Sequence, residues 1–204
     1  VPGTLLGDGI AYDYGESHGF INSKHNFEND IVVAAENIAS RYSASRRHTQ
    51  AVAKIAVKIF DSIKKIHGLG NRERLLLRIA ALLHECGKYI SMCDIADNSF
   101  HIIMSTEIIG LSHEERQIIA SVVRYNTQEF GYFREISQET GIDRDSYQVI
   151  AKLTAIHRVA NALDRSHYQK IRDLRPLLKD NQLVLTLDSD RDIGLEKGLL
   201  KEKA

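Results

Sequence analysis

The sequence is short of several things that would narrow its function at once. Its 204 residues hold only two cysteines, Cys86 and Cys93. Seven positions apart, they form neither a CxxC redox pair nor a zinc-knuckle spacing, so the fold is expected to stand without disulfides, its thiols reduced in the cytoplasm. Excess charge of one sign is missing too. With 27 basic and 27 acidic side chains the net charge is +0, which argues against a general nucleic-acid binder and removes DNA from the expected partners. Apolar runs such as 79–83 are far short of the roughly 20 residues that a membrane helix needs, so no membrane is expected. The N-terminus, VPGTLLGDG, has no basic or apolar leader regions and does not begin with Met; the chain reads as cut from a longer one. No internal repeat or low-complexity tract is visible. What is present is an ordinary globular balance, 43% hydrophobic and 26% charged, long enough to bury a core.

Residues 5–14, LLGDGIAYDY, carry a Gly-Asp-Gly turn signal and a short alternation of Ile10, Tyr12 and Tyr14, which predicts a strand stub. Residues 15–29 have no period and are expected to connect. From there to about 175 the pattern is helical. A first helix spans 31–41. A second, capped by Ser45 or a neighbour, repeats Val52, Ile55, Ala56, Ile59, Phe60 and Ile63 on one face, with His48 on the same face. Gly68-Leu69-Gly70 ends it. Asn71 is positioned to cap a third helix through Leu75, Leu76, Ile79, Ala80 and Leu83, whose last turn carries His84, with Gly87 closing it and Glu85 and Lys88 at its mouth. A short helix is expected over 98–109. Ser112 to Glu115 reads as a capping box before Ile118, Ile119, Val122 and Val123. A long helix over 145–168 aligns Leu153, His157, Ala160 and Asp164. Beyond Pro176, residues 181–187 alternate as a single edge strand, and a charged helical fragment covers 195–204.

Four of these positions converge on one chemistry. His48, His84, Glu85 and Asp164 supply two imidazoles and two carboxylates, a donor set that suits a divalent cation such as Mn, Mg, Zn or Fe. Such an ion would activate water and clamp a phosphoryl oxygen, with Lys88 neutralising the developing charge as the one catalytic side chain besides the ligands. Taken singly, each residue reads more simply as a hydrogen-bonded core group.

Their joint order resembles the HD phosphohydrolase superfamily over about 44–170, with Glu85 standing where the superfamily has an Asp. A closer resemblance covers nearly the whole chain. SASRRHTQAVAKIAVKIFDSI, RIAALLHECGKYIS, SFHIIMSTEIIGLSHEERQIIASVVRYN and VANALDRS are similar to the C-terminal HD-like domain of exopolyphosphatases and guanosine-pentaphosphate phosphohydrolases. LLGDGIAYDYGE resembles the end of that family's preceding actin-like domain, and LTLDSDRDIGLEKGLLKEKA its terminal strand and helix. Two departures stand out: Asn98-Ser99 where the family often reads His-Ser, and Arg124-Tyr125-Asn126 where it often reads Arg-Tyr-His. His101 lies one turn from Asn98.

The resemblance implies a mainly α fold: an HD-like multi-helix bundle with a short N-terminal strand stub and a small C-terminal strand–helix appendage. It divides the chain into 1–28, the remnant of an actin-like domain and linker, 29–180, the helical domain, and 181–204, the appendage. It further implies a cytoplasmic parent hydrolase whose chemistry resides in the actin-like domains, with this part expected to position polyphosphate or a phosphorylated guanosine nucleotide and to build a homodimer, over an HD-like site that many members leave incomplete or without metal. Arg46, Arg47, Lys88, Arg124 and Arg165 are the nearest basic residues for the anion. Two other readings stay open: an independent metal-dependent HD phosphohydrolase, and a domain that senses a phosphorylated alarmone without cleaving it.

Overall fold

The computed structural model describes residues 27–179 and 182–203, with Tyr14 and His18; of the strand expected over 5–14, all but Tyr14 lies outside the described residues. The fold is mainly α. Its elements are α1 (Phe27–Arg41), α2 (Arg46–Ser62), the single turn α3 (Lys64–His67), α4 (Asn71–Leu83), a 3-10 turn (Cys86–Tyr89), α5 (Ile95–Ser105), α6 (His113–Arg124), α7 (Phe133–Thr140), α8 (Arg144–Ala162), strands β1 (Asp173–Lys179) and β2 (Gln182–Asp188), and α9 (Gly194–Lys203). Among the described residues no helix is long and apolar enough to cross a membrane.

α4 is the central helix. Leu75, Leu76, Leu77, Ile79, Ala80, Ala81, Leu82 and Leu83 are all buried, and a helix that is apolar nearly all round must be enclosed by neighbours. It packs against α1, α2, α6 and α8. α2 contributes Val52, Ala56, Ile59 and Phe60 from the stripe read in the sequence. The helix starts are fastened by side chains. The Ser112 hydroxyl accepts from the Glu115 N–H at 3.1 Å while the Glu115 carboxylate accepts from the Ser112 N–H at 2.8 Å, the reciprocal box expected there. Arg72, in the first turn of α4, forks onto the same carboxylate at 2.5 and 2.8 Å, joining the starts of α4 and α6. α3 ends at Gly68 with φ +67°, a left-handed position that suits glycine.

Several local expectations are corrected. α4 is preceded by Gly70, whose N–H donates to the Glu73 carboxylate at 2.7 Å, so Asn71 is its first residue and not its cap. Ser45 precedes α2 without a side-chain cap bond. The helix expected over 98–109 begins at Ile95, and α7 went unread because residues 133–140 lack an apolar stripe of useful length. The long helix stops at Ala162, leaving Asp164 in the following turn. The single edge strand is one half of an antiparallel pair in which Pro176 faces Leu185. Proline disguised β1, yet a two-stranded ladder leaves outward-facing backbone positions where a missing N–H costs nothing.

Gly87 does not end a helix in left-handed conformation. It sits in the 3-10 turn, and a Cβ there would lie 2.1 Å from the Ile95 carbonyl oxygen and 2.7 Å from the Ser99 nitrogen. Glycine is required because α5 crosses directly over the turn. Ser99 completes the crossing: its hydroxyl accepts from Gly87 N–H at 2.8 Å and donates to the His84 carbonyl at 3.2 Å. Gly87→Ala is therefore expected to destabilise the fold by about 1–3 kcal/mol, the usual scale for overpacking, measured by urea denaturation; an unchanged midpoint would refute the close approach.

Candidate functional site: a closed histidine–carboxylate cluster

The all-round burial of α4 carries the residue that caps its C-terminus into the core, so His84 is only 7% exposed. α2 presents His48 from its inward face at 0%, and the turn after α8 presents Asp164 at 2%. The structure brings these together. His48 Nδ1 lies 2.8 Å from Asp164 Oδ2, and His48 Nε2 lies 3.2 Å from His84 Nε2. Glu85 Oε1 stands 3.9 Å from His48 Nε2. The four residues singled out as ligands thus share one cluster.

Hydrogen bonding fixes the protons in it. His84 Nδ1 is 2.8 Å from the Ala81 carbonyl oxygen, which can only accept, so Nδ1 carries hydrogen and the neutral ring leaves a lone pair on Nε2. Asp164 receives the Gln169 N–H at 2.8 Å and the Gln169 side-chain amide at 3.0 Å, besides His48. With Asp164 accepting from both Gln169 groups, His48 is the donor in the remaining bond, so its Nδ1 also carries hydrogen. Both Nε2 atoms then point lone pairs at one another across 3.2 Å, which is repulsive unless positive charge lies between them. A shared proton satisfies this, and so does a metal ion.

Burial, reinforced by the neighbouring His48, lowers the His84 pKa to about 4, which keeps this ring neutral. Burial alone would raise the Glu85 carboxyl, but the Lys88 ammonium bonded to it and the two histidines hold it below the ordinary range. Lys88 offsets one of the two carboxylates, Glu85, and His48 bonds the other, Asp164. His167, not anticipated from the sequence, stacks on His48 with ring centroids 3.6 Å apart and planes 5° from parallel, its Nε2 3.7 Å from Glu85 Oε1. His157, on α8, meets His84 edge-on at 5.1 Å.

His48, Glu85 and His167 offer ligand atoms within 4.8 Å of one another, a possible metal-binding triad. The ring geometry discriminates among donors. Parallel ring planes do not meet, so one ion lies in the plane of at most one of His48 and His167. The His48 and His84 nitrogens do converge, and their separation is close to the roughly 3.0–3.4 Å expected between ligands each about 2.0–2.1 Å from a common ion. Glu85 Oε2 is buried with no hydrogen-bond partner among the described residues. The triad thus places one carboxylate and two imidazoles within reach of an ion, with His84 Nε2 adjoining His48 and Asp164 orienting His48 from behind, as outer carboxylates do for ligating histidines.

The cluster opens on a cavity of about 100 Å³ lined by His48, His84, Glu85, Lys88, Asn126 and His167 among others, with Arg165 at its edge. Of the five basic residues named from the sequence, Lys88 and Arg165 reach this cavity. Arg46 lines a separate pocket with Glu36 and Ser40. Arg47 is exposed and does not line the cavity. Arg124 is paired to Asp97 at 2.7 Å and lies over the Phe100 ring. Sequence reasoning missed His167 because it lies outside any helix, at φ +60°, with Gln169 also left-handed at +46°; no helical period reaches it. Its separation of three residues from Asp164 was the available signal.

The geometry defines a helical domain with a buried histidine–carboxylate centre, and comparison with known proteins identifies its family. Residues 32–203 match the family model described as Ppx/GppA phosphatase, domain III, and the chain belongs to that family. Two relatives are each named guanosine-5'-triphosphate,3'-diphosphate pyrophosphatase. One, from Aeromonas hydrophila subsp. hydrophila, is 25% identical over 129 residues; the other, from Aeromonas salmonicida, is 24% identical over 129 residues. Each match covers 63% of this chain and 25% of the relative.

The His84 environment sets a pH dependence. Its folded pKa of about 4 lies below the ordinary value of 6.5, so between these values the unfolded chain binds the proton and the folded one does not. Stability is then greatest above pH 6.5 and falls as pH drops towards 4, by roughly 3 kcal/mol from this group. Glu85 acts in the same direction, since its lowered folded pKa contributes stability that is lost on acidification. Urea unfolding at pH 7 and pH 5 is expected to show this loss, and His84→Gln to reduce it; an equal slope in the variant would refute a neutral buried His84.

Proposed function

We propose that this chain serves as an accessory, anion-positioning domain of an exopolyphosphatase or guanosine-pentaphosphate phosphohydrolase-like enzyme, holding polyphosphate or a phosphorylated guanosine nucleotide without turning it over, and contributing to a homodimer. The observation that carries this is the division of charge at the cavity. Its floor is a cluster whose acids and imidazoles offset one another, while Lys88, Arg165 and His167 are the groups left at its edge. Lys88 binds Glu85 through one of three ammonium hydrogens, so two remain for a phosphate oxygen. The relatives' printed substrate, a guanosine triphosphate diphosphate, is itself rich in phosphate, which supports the ligand class. For the homodimer, the supporting feature is a run of exposed apolar side chains just past Lys88, Tyr89, Ile90 and Met92 at 64%, 59% and 73%, since such clusters mark association surfaces.

Titration with inorganic polyphosphate tests the proposal. Binding is expected to weaken steeply with salt, as for other polyanions, and Lys88→Ala or Arg165→Ala to lower affinity about tenfold each, the scale of one charge-assisted hydrogen bond. Salt-independent binding, or none, would overturn it. Light scattering checks the dimer, which Ile90→Glu is expected to dissociate.

A second reading is metal-dependent phosphoester hydrolysis, favoured by the converging His48 and His84 nitrogens and the unpartnered Glu85 Oε2. His48, Glu85 and His167, whose ligand atoms lie within 4.8 Å of one another, would hold the ion, with His84 adjoining and Asp164 orienting His48; the ion would supply an activated water. Phosphate release that requires Mn, Mg, Zn or Fe and disappears in His84→Ala would establish this reading in place of the first.

A further inference from the structure

The segment 163–172, between α8 and β1, carries Asp164, Arg165 and His167 and holds two of the left-handed non-glycine residues of the described chain, His167 and Gln169. Left-handed backbone at residues with side chains persists only where surrounding contacts hold it. Gln169 supplies part of that hold by donating its backbone N–H and its amide to Asp164, and its amide also to the His167 carbonyl at 2.8 Å. These bonds act within the loop. They do not fix the loop against the rest of the molecule.

We propose that Glu196, in the first turn of α9, is a positioning residue for the cluster: it fastens the loop from behind so that Asp164 bonds His48 and His167 stacks on it. Glu196 is 0% exposed although it belongs to the terminal helix. Its Oε1 accepts from the Ser166 N–H at 3.4 Å and its Oε2 from the Lys170 ammonium at 3.3 Å. These two partners bracket His167, one residue before it and three after. One carboxylate thus clamps both ends of the strained stretch, and among the described residues no other side chain bonds to both Ser166 and Lys170. A buried carboxylate is tolerated only with such partners; apolar packing would have fastened α9 equally well without it. The β1–β2 pair secures the downstream end, where the Ser189 hydroxyl donates to the Lys170 carbonyl at 2.9 Å and the Arg172 N–H to the Asp188 carbonyl at 2.9 Å. The terminal strand–helix unit is accordingly part of the site's construction.

The consequence for ring stacking stands on the geometry alone, while the consequence for anion binding rests on the function proposed above. The test uses the 204-residue chain. In carbon–proton spectra of the histidine rings, Glu196→Ala is expected to move the His167 and His48 signals away from their stacked positions while the methyl spectrum of the α4 core stays folded. Glu196→Gln, which keeps an acceptor for Ser166, should restore part of the shift and carries the test if the alanine variant does not fold. Leu200→Ala, which trims packing of the same helix against the core, should lower the melting temperature without moving those rings. Affinity for inorganic polyphosphate should fall about tenfold in Glu196→Ala, by the same factor as in His167→Ala, with no further loss in the double variant. Unchanged His48 and His167 signals in folded Glu196 variants would overturn the proposal. If the wild-type chain binds no polyphosphate, the anion-binding reading fails and the ring signals still decide the role of Glu196.

Discussion

Everything at this site follows from two hydrogen-bond acceptors that constrain two imidazoles. Ala81 fixes the hydrogen of His84 on Nδ1, and Asp164 fixes that of His48 on Nδ1. The facing Nε2 atoms, 3.2 Å apart, then require positive charge between them. The backbone contribution is inseparable from the helix: Ala81 lies in the last turn of α4, where carbonyls lack helical partners, and His84 takes one of them. A core helix thereby ends on its own side chain, and the ring that ends it is aimed at its neighbour. Ser99 and Gly87 hold the following turn against α5, so the aim is not free to drift. The length of the Glu85 side chain extends that economy. It is consistent with a carboxylate that meets Lys88 three residues on and still lies 3.9 Å from His48.

What was legible in the sequence was whatever depends on periodicity. The apolar stripes of α2 and α4 placed His48 and His84 inward, and the Ser112 box marked the start of α6. The four acids and imidazoles were brought together as the helical reading implied, even though α8 ends at Ala162 and Asp164 projects from a turn. What was not legible depends on contacts distant in sequence or on backbone outside helices. Gly87 reads as a helix terminator until α5 is seen to cross it. β1 contains a proline, and only its pairing with β2 makes it a strand. His167 and Gln169 adopt left-handed backbone that no propensity favours, and Asp164 with its partners imposes it. Among the basic residues, proximity in sequence was a poor guide: Arg46 and Arg47 neighbour His48 along the chain, but the inward turn of His48 leaves them outside the lining of its cavity.

The loop after α8 shows how a small appendage comes to matter for a buried centre. Each left-handed residue there costs on the order of 1–2 kcal/mol, so two of them would relax without restraint. The restraint comes from both directions. From within the bundle, Asp164 gathers His48 and Gln169. From outside, the strand pair and α9 supply Asp188, Ser189 and Glu196. Lys58 on α2 adds an ion pair to Asp173 at 2.5 Å, joining the start of β1 to the helix that carries His48. The terminal unit is therefore tied both to the loop and to α2.

Charge balance then separates what the floor of the cavity can do from what its edge can do. A buried carboxylate pair without partners would be strongly disfavoured, and Lys88 on Glu85 and His48 on Asp164 reduce that penalty. A hydrolytic centre needs, in addition, an open coordination position for water; here His48 and His84 face one another and Glu85 Oε1 is already engaged. The groups with spare donors are those at the rim, Lys88 and Arg165, and they have no acidic neighbour at the cavity other than Glu85. An incoming phosphate meets donors first and finds the acids behind them already offset. This ordering, cations outward over a closed core, supports holding an anion more directly than it supports cleaving one.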